Sequence, residues 1–206
     1  MGIIATRMAF GQELIDIAKE RTDFLVCNAD TKTCGLEKFA KIFPDREFSF
    51  GIAEQNLVGA AAGMAACGNK VFLATFAVFA SMRACEQVRT FVCYPNLNVT
   101  IIGTHAGLQV GGDGATHAAI EDVSIMRSFP NMTIVQPSDA VSARTVARAA
   151  VDFTGPLYIR LHRNPVADIY DAENYQFEIG KSYEVRNYGN DMTMIVSGIL
   201  LKKALD

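Results

Sequence analysis

One carboxylate dominates the chemistry this chain could do. Glu54 opens the stretch Phe50-Gly51-Ile52-Ala53-Glu54-Gln55-Asn56-Leu57-Val58-Gly59-Ala60-Ala61-Ala62-Gly63-Met64, which is otherwise mostly small and apolar. Small side chains let a second backbone or a flat ligand come close. A carboxyl group sheltered from water holds its proton to higher pH, because burial disfavours the charged form, and can then exchange a proton near neutrality. Alone, the stretch reads better as tight packing, since Glu is common in a first helical turn facing the macrodipole. Residues 103–117 form a second group, in which His105 and His117 bracket a Gly- and Ala-rich run holding Asp113. Histidines on such a loop are more often functional than histidines on an apolar helix face, because loops carry function. Thr75-Phe76-Ala77-Val78-Phe79 sets two rings at the mouth of a strand–helix turn, where they can pack in a core or flank a planar ligand. Arg7, Arg83, Arg160 and Arg163 could grip phosphate or be solvated and ion-paired.

These residues need a scaffold, and the hydrophobic pattern supplies one. Helical spacing runs over 7–21, weakly over 36–43 until Pro44, from Glu54 onward, and over 78–94 and 118–128; a further helix opens with the N-cap signature Ser138-Asp139. Short apolar strands are expected at 24–27, 48–50, 71–74, 99–102, 133–136 and 157–160. Such alternation predicts a three-layer α/β/α domain with a mainly parallel sheet covered on both faces. Ligands then sit beyond the carboxyl ends of the strands. The segments placed there are 28–34 (with Asp30), 75–79, 105–117 and 162–164. Past Pro165 the chain turns polar and aromatic, with a hairpin-type turn at Asn187-Tyr188-Gly189-Asn190. A fresh strand at 192–196 and the start of a helix at Ile199 follow. The expected division is 1–165 as one domain, 166–190 as a linker and 191–206 as the truncated start of a second.

With 206 residues, half of them hydrophobic, the chain can build one good core. A net charge of −3 without a basic cluster gives no nucleic-acid footprint. There is no apolar run of membrane-spanning length and no signal-peptide pattern. Five cysteines without a Cys-x-x-Cys pair point to a reducing cytoplasm. Gly112-Asp113-Gly114 invites a magnesium–diphosphate reading, but the Asn such a motif requires is missing from 138–144, so no metal ligand is assigned to this chain.

Taken together, Phe50-Gly51-Ile52-Ala53-Glu54-Gln55-Asn56, Thr75-Phe76-Ala77-Val78-Phe79, Glu86-Gln87-Val88-Arg89, Thr104-His105, Gly112-Asp113-Gly114-Ala115-Thr116-His117, Ile120-Glu121-Asp122 and Gln136-Pro137-Ser138-Asp139 resemble transketolase. The likeness covers the pyrimidine-binding domain of thiamine-diphosphate enzymes, about residues 4–165, and is similar to the C-terminal subunit of split transketolases. It implies that Glu54 hydrogen-bonds the cofactor's pyrimidine N1′ and favours the tautomer that takes the thiazolium C2 proton. Phe76 and Phe79 would flank the aminopyrimidine, with Met82 and Asp30 on the cofactor side. Asp113 and His117 resemble residues that hold sugar hydroxyls, His117 also acting in catalysis; His105, Arg7 and Arg163 resemble those reaching the sugar phosphate. Two departures stand out: Cys34 replaces a frequent Ser at the phosphate pocket, and Met82 replaces an aromatic. The resemblance further implies thiamine diphosphate with Mg²⁺ or Ca²⁺ held by an N-terminal partner subunit, sugar-phosphate substrates and a homodimer. The alternatives are a 1-deoxyxylulose-5-phosphate synthase-like subunit and a non-catalytic assembly subunit.

Overall fold

The computed structural model describes residues 2–31 and 34–206. Lys32 and Thr33, within the expected rim segment 28–34, lie outside the described residues. Six parallel strands form the sheet in the order β3-β2-β4-β5-β7-β6. They are β2 (Phe24–Asn28), β3 (Glu47–Ser49), β4 (Lys70–Phe76), β5 (Val99–Thr104), β6 (Thr133–Val135) and β7 (Leu157–Arg160).

The three layers follow from the two-residue period of strands, which sends neighbouring side chains to opposite faces. Phe72, Ala74, Ile102, Leu157 and Ile159 pack with Phe10 and Leu14 of α1 (Thr6–Glu20) and Ala143 and Val146 of α6 (Ala140–Asp152). Val71, Leu73, Ile101 and Tyr158 point the other way. There they meet Leu57, Val58 and Ala61 of α3 (Glu54–Ala66), Val88 and Val92, and Met126 of α5 (Asp122–Met126). Both faces are thus sealed, as a parallel sheet requires. The expected cap on α6 is present: Asp139 Oδ1 accepts from Ser142 N at 2.8 Å, and Ser142 Oγ accepts from Asp139 N at 3.0 Å.

Several elements differ from the sequence expectation. The stretch 78–94 is not one α-helix: a short α turn, α4 (Cys85–Gln87), lies between π-helical segments Phe79–Arg83 and Val88–Cys93. The helix expected over 118–128 shortens to α5. Residues 166–190 do not begin as a free linker. β8 (Pro165–Ala167) pairs antiparallel with β1 (Ile3–Ala5), Asp139 Oδ2 accepts from Ile169 N and Tyr170 N, and Phe177 and Ile179 rest on the α1/α6 side of the core. No strand forms at 192–196, nor a hairpin at 187–190, because a strand needs a ladder partner and none lies alongside among the described residues. Met192, Met194 and Ile195 are largely exposed there. Helix α7 (Leu200–Leu205) follows, anchored by Leu201.

Candidate active site

Glu54, Phe76, Phe79, His105 and His117 gather at the carboxyl ends of the central strands, with Arg7 and Arg163 close by. Glu54 is the first residue of α3, brought to this rim when the chain leaves β3 and turns through Gly51. Its side chain is 1 % exposed. The apolar shelter expected for it is nevertheless incomplete. Arg83 Nη1 donates to Glu54 Oε2 at 2.7 Å, and Thr75 Oγ1 lies at 3.4 Å from Oε1. The carboxylate is therefore firmly held at one oxygen and loosely contacted at the other, since 3.4 Å is long for a hydroxyl hydrogen bond.

Beside it stands a cluster of four rings. Phe76 and Phe79 lie with centroids 5.8 Å apart; His105 sits 4.5 Å from Phe76, and His117 lies edge-on to Phe79 at 5.1 Å and to Phe76 at 5.6 Å. The two phenylalanines are half-buried and present ring surface at the rim. His105 is buried and adopts a left-handed backbone with φ 57°, as does Asp30 with φ 56°. Such a conformation costs a non-glycine residue about 1–3 kcal/mol and concentrates at functional sites. Burial, with Arg7 and Arg163 adding to it and Asp113 opposing, pushes the His105 ring down to about 4. It is neutral at pH 7. His117 is half-buried, its Nδ1 3.0 Å from Thr116 Oγ1.

Arg7, at the start of α1, donates through Nε to the backbone carbonyl of Arg163 at 3.3 Å, and both guanidinium charges act on His105. Burial lowers the Arg7 value from its ordinary one, with Arg163 contributing. Arg163 lies against Gly111, whose φ is 79°; a Cβ there would stand 1.7 Å from Arg163 Nη1. Only glycine lets the loop run this close to the guanidinium. Asp113, on the same loop, is exposed.

Four other residues have different surroundings. Arg160, one of the possible phosphate grips, is instead committed to structure. Its Nε and Nη2 donate to Asp122 at 2.7 and 3.1 Å and Nη2 also to Ala119 O at 3.1 Å, while Tyr158 donates to Asp122 Oδ2 at 2.7 Å. With Gly107 N donating to Ala119 O at 2.8 Å, this network closes the base of the histidine loop. Met82 is 52 % exposed on the π turn, Asp30 is exposed just past β2, and Cys34 is buried among the α1-side core residues. Sequence reasoning named Arg83 and Thr75 without linking them to Glu54. No local spacing joins them: Thr75 and Arg83 lie 21 and 29 positions from Glu54 and meet it only through the fold.

A parallel α/β sheet thus carries a buried carboxylate, paired rings and two arginines at its carboxyl rim. The family profile described as transketolase, pyrimidine binding domain matches residues 3–167, and the chain belongs to that family. It is 42 % identical over 201 residues to a putative transketolase C-terminal section of Methanocaldococcus jannaschii, covering 97 % of this chain and 63 % of that protein. One subunit of an apulose-4-phosphate transketolase of Phocaeicola vulgatus is 36 % identical over 95 % of this chain and 63 % of its own. A solved structure described as a split gene transketolase, inactive beta4 tetramer, superposes with a TM-score of 0.88 at 44 % identity, covering 99 % of this chain and 66 % of that one. The chain spans less than two thirds of the length of these relatives.

Proposed function

We propose that this chain is the pyrimidine-binding half of a transketolase, moving a two-carbon ketol unit between ketose and aldose phosphates when paired with an N-terminal subunit. The observation that carries the reading is the sealed Glu54 carboxylate with its loosely engaged Oε1, beside the Phe76–Phe79 pair and the two histidines. This donor set fits thiamine diphosphate: a carboxylate for a ring nitrogen and aromatic faces for a flat pyrimidine. The cofactor, when bound, supplies the carbanion chemistry, and the protein supplies orientation and proton traffic. In this reading Glu54 holds a proton at the pyrimidine N1′, Phe76 and Phe79 keep water from the ring, and Met82 and Asp30 border it. Asp113 and His117 orient sugar hydroxyls, with His117 also placed to move a proton. Arg7, Arg163 and the neutral His105 receive the phosphate, and Cys34 shapes the floor behind them.

Mg²⁺ or Ca²⁺ ligands are assigned to the N-terminal subunit; among the described residues no group of three His, Cys, Asp or Glu side chains could hold a metal. Residues 166–190 and 191–206 are assigned as the connection to, and start of, a C-terminal domain. The exposed Met192, Met194 and Ile195 support this, as they suit a strand whose neighbours lie further along. A homodimer is assigned to the α3 face, where a Cβ on Gly59 or Gly63 would meet nothing within 4 Å. The cytoplasm is the expected compartment; no described helix is long and apolar enough to cross a membrane.

The test combines this chain with an N-terminal transketolase subunit, thiamine diphosphate and Mg²⁺. Product from xylulose 5-phosphate plus ribose 5-phosphate is expected, falling at least about a hundredfold with Glu54→Gln. Product from pyruvate and glyceraldehyde 3-phosphate alone would assign the chain to the deoxyxylulose-phosphate reaction. Full activity in Glu54→Gln would remove Glu54 as the proton partner.

A further inference from the structure

Arg83 belongs to none of the roles assigned so far, yet it makes the shortest contact with the carboxylate on which the site depends. Its Nη1 meets Glu54 Oε2 at 2.7 Å, and its Cζ lies 4.0 Å from the Phe79 ring centroid. The turn that carries it is π-helical: Ala84 N donates to Phe79 O across five residues at 3.1 Å. Phe79 in turn packs on His117. One guanidinium thus links the carboxylate to a ring assigned to the cofactor. The Arg83 side chain is 43 % exposed, while Glu54 is sealed.

We propose that Arg83 is a positioning residue: it fixes Glu54 through Oε2 and stacks on Phe79, so that Oε1 is the oxygen presented to the pyrimidine. Charge-assisted hydrogen bonds are short and directional. A carboxylate anchored at one oxygen loses the torsional freedom that would otherwise blur its aim. Thr75 Oγ1, at 3.4 Å, is too distant to compete strongly for Oε1. Lysine at position 83 keeps the charge and most of the reach but loses the planar stack.

This inference rests on the reading of the chain as a cofactor-binding half. The test uses the complex with the N-terminal subunit, thiamine diphosphate and Mg²⁺. It measures two quantities without substrate: the rate at which the cofactor's C2 proton exchanges for deuterium, followed by NMR, and the cofactor's dissociation constant, followed by calorimetry. Arg83→Met is expected to slow exchange about tenfold while affinity changes far less, and Arg83→Lys to recover most of the rate. Combining Arg83→Met with Glu54→Gln, which also relieves any unpaired buried charge, is expected to slow exchange no further than Glu54→Gln alone. Undiminished exchange in Arg83→Met, an affinity loss as large as the loss of rate, or additive effects in the double variant would each overturn the proposal. Undiminished exchange in Glu54→Gln would instead overturn the cofactor reading itself.

Discussion

Two of the buried carboxylates that hold an arginine in this fold, Asp122 and Glu54, are built differently. Asp122 is closed on all sides. It accepts from Tyr158 and twice from Arg160, whose side chain is only 13 % exposed, and a Cβ on nearby Gly103 would stand 2.5 Å from the Tyr158 hydroxyl. Glu54 is equally hidden, but its arginine is 43 % exposed and one of its oxygens has only a long contact. The Asp122–Arg160 pair commits both carboxylate oxygens to partners within the fold. It braces the histidine loop, whereas the unsaturated pair at the rim retains bonding capacity. Burial alone therefore does not separate the two carboxylates; the engagement of their oxygens does.

The largest effect on stability is expected where the pair is saturated. Asp122→Ala leaves Arg160 Nε and the Tyr158 hydroxyl without their shared acceptor and should cost about 3–5 kcal/mol in urea unfolding. Glu54→Gln, which keeps the shape and a hydrogen-bond acceptor beside an arginine open to water, should cost about 1 kcal/mol or less. Equal losses would break the comparison.

Two buried histidines extend the comparison. His105 at the rim and His162 beside Arg160 are both lowered from 6.5 to about 4, chiefly by burial. The fold therefore keeps them neutral, and the unfolded chain binds the extra protons between those values. Stability from this source is complete above about pH 6.5 and is lost as pH falls toward 4, on the order of 2 kcal/mol for each ring. Unfolding curves at pH 7 and 5 should show the drop, and His105→Gln and His162→Gln should each flatten it. A pH-independent midpoint in the parent chain would contradict this assignment.

The smallest effect belongs to the surface. Arg21 meets Asp152 at 2.5 Å, with side chains 39 % and 74 % exposed, and also holds Asp23. Asp152→Ala should leave the thermal midpoint unchanged within error, because exposed pairs contribute little.

Much of the rim was legible from residue types and spacing. Short apolar runs alternating with helical periods placed Phe76, His105 and Arg163 after parallel strands, and a lone Glu before an Ala/Gly run marked the head of α3. The partners of those residues were not legible. Arg160 looked like any free arginine until β7 set it beside Asp122, 38 residues away. The π turns at 79–93 repeat too closely to an α-helix for periodicity to separate them. β1 is only three residues long and pairs with β8 some 160 positions on.

The chain's own order of residues determined the layered α/β architecture, the family and the groups able to do chemistry, because strand and helix periods and side-chain identities are local properties. Tertiary structure alone decided which carboxylate is saturated and which keeps an open oxygen. That outcome depends on atoms brought within 3 Å by the crossing of distant strands and helices, and no local pattern encodes such a distance.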